Sequence, residues 1–358
     1  MIRLLAVVLA MLPVCATAQD AAAGMAVVAR ETGFNGIILT SRGTQVVTGV
    51  YGQRVPSGIT AAGPTAFRVD DLWRWASITK QVVAVIAMQE VAAGRIDLDL
   101  PIATYLPKFK GPTAGQITMR RLLRHQSGLP NPSDASDGSS DVPAFYTKGY
   151  SGDRNPLTGF CAGVPKGSPA DQWSYNNCDF MVAGAVLEAV THRSWAQLVD
   201  ERIAKRLKLP SLRTFPRPEP TMAGYENGMP EAPQDLSAYG ASAGLSGTIN
   251  DLWRFDRALM TGALVPPAQL AEMWDGQVEL GYIALGQWVY TVPVKGCPAA
   301  VRIVERRGQI GGVETRNFIL PDKDMVVIAF TNRDGFDFGE IWQGKGFSHD
   351  LIAKVACT

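Results

Sequence analysis

A serine and a lysine three positions apart, Ser77 and Lys80, form a pair whose residue types and spacing could do chemistry. On a helix this spacing puts both side chains on one face, within reach of each other. Residues 82–88 are all apolar, so an ammonium beside them is costly to bury unless it is paired or used. The pair therefore predicts an activated serine nucleophile. Taken alone, it also fits a helix-capping serine beside a lysine that reaches to solvent.

A tyrosine and two asparagines, Tyr175-Asn176-Asn177, form the second candidate element. They precede an apolar segment at residues 180–190, and Cys178 is placed to pin the loop. A phenol with an ordinary pKa of about 10 is a poor base at neutral pH, but an adjacent ammonium favours the phenolate. The element predicts a tyrosine base, and a loop tyrosine with only a structural role is the alternative.

A glycine-rich run, Gly308-Gln309-Ile310-Gly311-Gly312, is the third candidate element and lies between two segments with strand periodicity. Glycines at a sheet edge allow a ligand to approach the backbone closely. The run is equally consistent with an ordinary bulge or turn.

In this order, the three elements resemble the motifs of the serine β-lactamase and penicillin-binding-protein superfamily. The resemblance is closest to the branch of class C β-lactamases, D-aminopeptidases, DD-carboxypeptidases and family VIII-type esterases. It covers most of the chain, because three further segments are also similar to that branch: residues 94–107, 117–130 and 243–252.

The resemblance implies a catalytic role for four matching side chains. Ser77 would be the nucleophile, and Lys80 the cation that lowers the cost of ionising its neighbours. Tyr175 would be the general base in acylation and would activate water in deacylation. Lys80 and Tyr175 should titrate as a coupled pair. Asn177 would hydrogen-bond Lys80 and an amide of the substrate.

The resemblance also implies an oxyanion hole and a substrate-binding edge. The backbone N–H groups of Ser77 and Gly312 would form the oxyanion hole, which contributes most in acyl transfer. Gln309, Gly311 and Gly312 would bind the substrate.

Gln309 is a departure from the family pattern, in which the third motif begins with lysine or histidine. A neutral amide does not attract a substrate carboxylate as an ammonium would. We therefore expect the protein not to depend on such a carboxylate, unless Arg307 or Arg316 replaces the missing cation.

The segments that must position these residues have strand periodicity at both ends of the chain and helical patterns between. Residues 77–93 predict a buried helix, and residues 35–52 predict two strands. Further strands are predicted at residues 281–292, 301–304, 317–320 and 325–330. The pattern predicts an α+β fold, an antiparallel sheet of N- and C-terminal strands flanked by helices, with an inserted mostly helical subdomain. The resemblance implies a β-lactamase/transpeptidase-like fold.

A single catalytic domain is expected over residues 19–358. Its α/β part would comprise residues 25–105 and 240–358, and its helical subdomain residues 106–239. Hydrophobic residues make up 46% of the chain and charged residues 19%, with a net charge of +1. This balance is typical of a globular enzyme and argues against a nucleic-acid partner, which requires a basic excess.

The first 18 residues have the pattern of a secretory signal peptide. Arg3 precedes an apolar stretch at residues 4–12, which is too short to span a bilayer, and Ala16-Thr17-Ala18 fits a cleavage site. We therefore expect a periplasmic or secreted protein, with no membrane association after cleavage. A lipid-modified Cys15 is the alternative.

Four cysteines would remain after cleavage, an even number that favours two disulfides in an oxidising compartment. Four cysteines allow three connectivities. The local pairing joins Cys161 to Cys178, and Cys297 would then bind Cys357; free buried thiols are the alternative.

These observations predict an exported serine hydrolase of esters or amides, with esterase or D-amino-acid peptidase activity. The alternatives are a class C-like β-lactamase or DD-carboxypeptidase, and a weakly catalytic peptidoglycan-binding protein. No metal or cofactor is expected, because the three histidines are scattered and no His-Glu-x-x-His occurs. The expected partner is a small ester or amide or a peptidoglycan-derived peptide, and the protein is expected to be a monomer.

Overall fold

The computed structural model describes residues 17–56, 59, 65–134, 142–169 and 172–357. Within these residues the strands are β1 (Gly36–Arg42), β2 (Gln45–Tyr51), β3 (Trp73–Arg74), β4 (Arg213–Thr214), β5 (Tyr225–Glu226), β6 (Met229–Pro230), β7 (Leu245–Gly247), β8 (Trp288–Val292), β9 (Val301–Ile310), β10 (Val313–Leu320) and β11 (Met325–Thr331). The helices are α1 (Ala18–Thr32), α2 (Thr79–Ala92), α3 (Met119–Leu123), α4 (Asn177–Thr191), α5 (Trp195–Val199), α6 (Lys205–Leu207), α7 (Gly240–Ala243), α8 (Ile249–Met260), α9 (Pro267–Met273) and α10 (Phe347–Ala356).

Six strands form the central antiparallel sheet, in the order β2-β1-β11-β10-β9-β8. The two ends of the chain meet where β1 pairs with β11. Because side chains alternate along a strand, Ile37 packs into the core beneath α2, whereas Ile38 packs beneath α1 and α10. Every residue of β11 is buried, since helices cover both faces. The fold class predicted from the sequence is confirmed.

The predicted central helix is α2, which is buried from Thr79 to Glu90. It is apolar nearly all round because it packs against the sheet on one side and against α4, α7 and α9 on the others. This helix carries Lys80 directly beneath the cleft described below.

Three strand predictions differ from the structure in their bounds, and the simplest case is β10, which was expected over residues 317–320 and begins at Val313. A strand was expected over residues 281–292, but β8 begins only at Trp288. A 3₁₀ turn at Val278–Leu280 precedes it, and Tyr282 has a positive φ of 66° that does not fit a strand. The strand predicted at residues 301–304 continues to Ile310, so part of the glycine-rich run is strand rather than loop.

Both expected disulfides are present, Cys161–Cys178 and Cys297–Cys357. The proposed signal peptide lies outside the described residues except for Thr17 and Ala18. Thr17 caps α1 together with Asp20. Among the helices of the described ranges, none is both long and apolar enough to cross a membrane.

Candidate active site

Ser77 lies in a 3₁₀ turn, Ala76–Ile78, that leads directly into α2. The preceding residue, Ala76, has a φ of 48°, a left-handed conformation that is strained for a residue with a Cβ. The Ala76 carbonyl accepts a hydrogen bond from Thr79 Oγ1 at 2.7 Å. The strained turn holds Ser77 at the head of a buried helix, where its hydroxyl faces the cleft.

Lys80 is fully buried, and its ammonium is surrounded by acceptors. Nζ lies 3.1 Å from Ser77 Oγ, 2.7 Å from Tyr175 Oη, 2.8 Å from Asn177 Oδ1 and 2.9 Å from the Ser242 carbonyl. Burial lowers the pKa of Lys80 to about 8, against the opposing attraction of Tyr175. Lys80 thus links Ser77 to the other polar groups of the site by hydrogen bonds.

The Tyr175 hydroxyl lies closer to Ser77 than Lys80 does, with Oη 2.5 Å from Ser77 Oγ. Burial alone would raise the pKa of Tyr175, but the cations of Lys80 and Arg306 outweigh it and lower that pKa to about 8. A phenolate beside a serine hydroxyl can accept its proton, so the geometry suits a general base.

The cation of the third motif is Arg306, which sequence reasoning missed. Its Nε donates to the Ser77 carbonyl at 2.9 Å, and its guanidinium lies 5.7 Å from the centre of the Tyr175 ring. Two residues further along β9, a Cβ on Gly308 would lie 3.0 Å from Ser77 N and 2.6 Å from the Trp75 carbonyl. Strand β9 therefore passes Ser77 at Gly308, with Arg306 on the same face.

Because Gly308 lies against Ser77, the third motif begins at Arg306. The sequence analysis, which began this motif at Gln309, is corrected on this point. Gln309 lines the cleft but is exposed and faces away from Gly308. The sequence signal that identifies Arg306 is the triplet Arg306-Arg307-Gly308, in which a glycine allows β9 to approach the serine. The cation expected to be missing is therefore present.

Gly312 does not lie beside Ser77. Its N–H donates to Glu231 Oε2 at 3.0 Å, and a Cβ there would collide with the backbone of Tyr225. Glu231 is in turn paired with the buried Arg74. Gly312 thus holds the tip of the β9–β10 hairpin against Glu231 and Tyr225. The structure contradicts the expectation that its N–H group forms part of the oxyanion hole.

Within the described residues, the edge of β9 beside Ser77 has no strand neighbour beyond Glu305, because β8 begins at its partner Trp288. Ile310 pairs with Val313 across a two-residue turn, which makes them a hydrogen-bonded pair. Alternation then directs the N–H of Gln309 away from β10, toward the open edge. This backbone donor is the one that we propose below for the role expected of Gly312.

Asn177 contacts Lys80 as expected, but its amide nitrogen is already engaged. Nδ2 donates to Tyr146 Oη at 2.8 Å and to Ser133 Oγ at 3.3 Å. Tyr146 and Ser133 lie outside every motif, and no local spacing indicated them.

A second buried polar cluster lies behind Tyr175 and comprises Ser127, Asp179 and His125. Ser127 donates to Asp179, whose other oxygen lies 3.2 Å from His125 Nδ1. The His125 ring packs against Tyr175 with centroids 4.7 Å apart. Burial raises the pKa of Asp179 well above its usual range. Burial, with Arg306 and Lys80, lowers the pKa of His125 well below its usual range.

These groups open into a cleft of about 440 Å³ between the sheet and the helical region. One wall of the cleft, the helical wall, includes Ser133, Val142, Tyr146, Asn177 and Tyr239. The opposite wall, the sheet wall, includes Arg306, Arg307, Gln309, Glu314 and Arg316. Within the described ranges, no group of three or more His, Cys, Asp or Glu side chains could hold a metal ion.

The fold and the Ser-Lys-Tyr cluster define the class of β-lactamase-like hydrolases. The chain matches the Beta-lactamase family over residues 16–345 and belongs to that family.

Two curated relatives show the range of activities found among similar proteins. The chain is 29% identical to esterase EstB of Burkholderia gladioli over 174 residues, 46% of this chain and 44% of that protein. It is 24% identical to the D-alanyl-D-alanine-carboxypeptidase/endopeptidase AmpH of Escherichia coli K12, over 81% of this chain and 77% of that protein. The match to EstB thus spans less than half of that protein's length.

Two solved structures are similar over nearly the whole chain. A D-stereospecific amidohydrolase from Streptomyces is 26% identical, with a TM-score of 0.71 over 96% of this chain and 99% of that one. The D-amino acid amidase of Ochrobactrum anthropi SV3 is 19% identical, with a TM-score of 0.73 over 94% and 97%. The second likeness concerns the fold alone.

Proposed function

We propose that this protein is a serine hydrolase that cleaves esters through an acyl-enzyme on Ser77. The observation that carries the proposal is the approach of both Tyr175 Oη and Lys80 Nζ to one serine oxygen, at 2.5 and 3.1 Å. A serine hydroxyl is a weak nucleophile until a neighbouring base removes its proton.

In acylation, the Tyr175 phenolate accepts the proton of Ser77 Oγ as that oxygen attacks the substrate carbonyl carbon. The carbonyl π electrons move to the oxygen and form a tetrahedral oxyanion. When this collapses, the bond to the leaving alkoxide breaks and Tyr175 returns the proton to the leaving oxygen. In deacylation, Tyr175 removes a proton from water as the water oxygen attacks the acyl carbon. When this tetrahedral intermediate collapses, the bond to Ser77 Oγ breaks, Tyr175 returns the proton to Oγ, and the acid is released.

Two cations make this base chemistry possible near neutral pH. Lys80 Nζ donates a hydrogen bond to Tyr175 Oη, and Arg306 lies over the tyrosine ring, so both cations stabilise the phenolate. Because arginine keeps its charge at all relevant pH values, Arg306 supplies a constant field while Lys80 exchanges protons with Tyr175.

The oxyanion is stabilised by the N–H groups of Ser77 and Gln309. Gln309 replaces Gly312 in this role because the Gly312 N–H is bonded to Glu231. Such donors are aimed in advance and lose little free energy to reorganisation during the reaction.

A second candidate function is acylation by a peptide or β-lactam that carries a carboxylate, as in a DD-carboxypeptidase. Arg306 Nη1 is buried and makes no hydrogen bond within the described residues. Arg307 and Arg316 also line the sheet wall. A carboxylate acceptor would suit this wall.

We also propose that the protein is exported. The pattern of residues 1–18 supports this, as do two disulfides, which persist in oxidising compartments.

The test is intact-protein mass spectrometry after exposure to a fluorophosphonate, a p-nitrophenyl ester and a penicillin, with Ser77→Ala as the control. We expect a covalent adduct and rapid ester turnover in the wild type and neither in Ser77→Ala. A stable penicillin adduct with poor ester turnover would favour the second candidate. Folded protein that reacts with none of the probes would contradict both.

A further inference from the structure

The carboxyl group of Asp179 is fully buried behind Tyr175 and accepts few hydrogen bonds. The Ser127 hydroxyl donates to Oδ1, and within the described ranges no N–H group of the backbone donates to either carboxyl oxygen. An ionised carboxylate can accept about four hydrogen bonds and is costly to bury when they are missing. The surroundings of Asp179 therefore suit a protonated acid better than a carboxylate.

The N-terminus of α4 does not supply the missing donors. An aspartate in the first turn of a helix is usually stabilised by the free N–H groups there. Here the Asn177 N–H donates to Asn131 Oδ1 at 3.2 Å. The Cys178 N–H donates to Asn176 Oδ1 at 2.8 Å. Both groups are thus used before they can reach Asp179.

The Nδ1 atom of His125 lies between Asp179 and a backbone donor. The Asn176 N–H donates to Nδ1 at 3.2 Å, and Asp179 Oδ2 lies 3.2 Å from the same nitrogen. A ring nitrogen that accepts a hydrogen bond carries no hydrogen, so the hydrogen of the neutral ring is on Nε2. The contact between Nδ1 and Oδ2 then needs a hydrogen, and only the Asp179 carboxyl can supply it.

The other protonation states place two like groups against each other. If Asp179 were ionised beside this ring, lone pairs on Oδ2 and Nδ1 would face each other. A hydrogen on Nδ1 would remove that conflict but would point at a second donor, the Asn176 N–H. An imidazolium would share this fault, and burial, Arg306 and Lys80 together lower the pKa of His125. Only a protonated Asp179 beside a neutral His125 pairs Nδ1 and both carboxyl oxygens.

The charge of Asp179 matters because the base is close. The His125 ring packs against that of Tyr175 with centroids 4.7 Å apart. Asp179 also lies close enough to Lys80 for each of them to affect the pKa of the other. A carboxylate at this place would offset part of the positive charge that stabilises the Tyr175 phenolate. A protonated acid holds the His125 ring by a hydrogen bond and leaves that positive charge unopposed.

We propose that Asp179 is a positioning residue that stays protonated while the enzyme works, and that its O–H donates to His125 Nδ1 and holds the ring against Tyr175. The inference rests on the proposed role of Tyr175 as the base of ester hydrolysis.

Two spectroscopic measurements on the folded wild type test the protonation state without turnover. In protein labelled with ¹⁵N-histidine, His125 should have a hydrogen on Nε2 and none on Nδ1 at pH 7. The variants His192→Gln and His349→Gln assign the signals of the other two histidines. The infrared spectrum should contain the C=O stretch of a protonated carboxylic acid that is lost in Asp179→Asn. Asp256→Asn is the matched control, because Asp256 is a second acid whose pKa burial raises, and its loss should remove a different band.

The kinetic test uses p-nitrophenyl butanoate and two variants. Asp179→Ala removes the donor that holds the His125 ring, so kcat should fall by about three- to tenfold with KM unchanged, the effect of one neutral hydrogen bond. Asp179→Asn provides an N–H donor for Nδ1 and an oxygen that accepts from Ser127, so it should restore kcat. Because a protonated acid and an amide are both uncharged, the pH profile of Asp179→Asn should keep the wild-type midpoint.

An ionised Asp179 would lose its negative charge in Asp179→Asn, and the midpoint of the pH profile would then fall by about one pH unit. That fall would overturn the inference, as would a hydrogen on His125 Nδ1 in the wild type. A value of kcat in folded Asp179→Ala equal to that of the wild type would overturn the positioning role. A wild type that hydrolyses no ester would contradict the proposed function, and the positioning role with it, whereas the spectra report on Asp179 independently of activity.

Discussion

The two walls of the cleft differ in how completely their polar groups are paired. On the helical wall, Asn177, Tyr146 and Tyr239 hydrogen-bond to neighbouring protein groups. On the sheet wall, Arg306 Nη1 and Arg316 Nε are buried without a hydrogen-bond partner in the described part of the chain. A paired wall holds its groups in place, whereas the sheet wall combines buried guanidinium donors that have no partner with an Arg307 that is paired with Glu305 and Glu340. We infer that the helical wall sets the geometry of Tyr175 and that the sheet wall provides polar contacts to the ligand.

Removing the base should have the largest effect on catalysis. Tyr175→Phe keeps the ring but leaves no group to accept the Ser77 proton, so kcat/KM for an ester should fall by about 10²- to 10⁴-fold. Tyr105→Phe, remote from the cleft, is the matched control. Retention of more than a tenth of the activity by Tyr175→Phe would assign the proton transfer to another group.

Removing the positive charge of Arg306 should reduce activity by a smaller factor, and this factor should depend on pH. Tyr175 must be deprotonated to act, so kcat/KM should fall as the pH drops below about 8, the pKa of Tyr175. Arg306→Met removes a charge that lowers this pKa, so the fall should begin at higher pH, and activity at pH 7 should decrease by up to about tenfold for each unit by which the pKa rises. The measurement is the pH profile of kcat/KM. Arg306→Lys is the control, because it keeps a positive charge, and its profile should have a lower midpoint than that of Arg306→Met. An unshifted profile in Arg306→Met would show that Arg306 does not act on Tyr175.

The buried cluster behind Tyr175 should affect stability more than chemistry. The folded-state pKa of Asp179 is raised above its unfolded value, so its contribution to stability is full below the unfolded pKa and is lost as the pH rises through the folded pKa. The loss is up to about 1.4 kcal/mol for each pH unit between the two values. Asp179→Asn does not ionise there, so its unfolding free energy should approach or exceed that of the wild type as pH rises. Urea unfolding at pH 5 and pH 8 measures this, and a difference that is independent of pH would contradict it.

The smallest effect is expected from Gln309→Lys. Gln309 is exposed and lies on the face of β9 opposite Gly308 and Arg306, so a lysine there adds another cation to the sheet wall without reaching Ser77. Ester turnover and penicillin acylation should change by less than about threefold, in the range of ordinary surface substitutions. A large gain in penicillin acylation would instead support the alignment in which the third motif begins at Gln309.

Side chains linked by short spacing were predictable from the sequence. Ser77 and Lys80 share one helical turn, and Tyr175 lies beside a cysteine that forms a disulfide. Strand periodicity at both chain ends likewise predicted the sheet. The register of the third motif was not predictable, because Arg306-Arg307-Gly308 and Gln309-Ile310-Gly311 offer overlapping alignments. Only the packing of Gly308 against Ser77 distinguishes them.

The partners of Asn177 and Tyr175 could not be predicted, because they come from distant segments with no motif of their own. Tyr146 reaches Asn177 across 31 positions, and Asp179 meets His125 across 54. Nothing in the local pattern marks Asp179 as a buried acid, since it occupies the first turn of α4, where an aspartate is ordinary.

The left-handed conformation of Ala76 limits which residue types position 76 can accept in an active variant. At a φ of 48° a side chain is tolerated only if it is small, and the position is fully buried, so polar residues that accept this conformation do not fit. In a library randomised at position 76, active clones should therefore consist almost entirely of alanine and glycine. Glycine should be the more heat-resistant of the two, because it adopts the turn without strain.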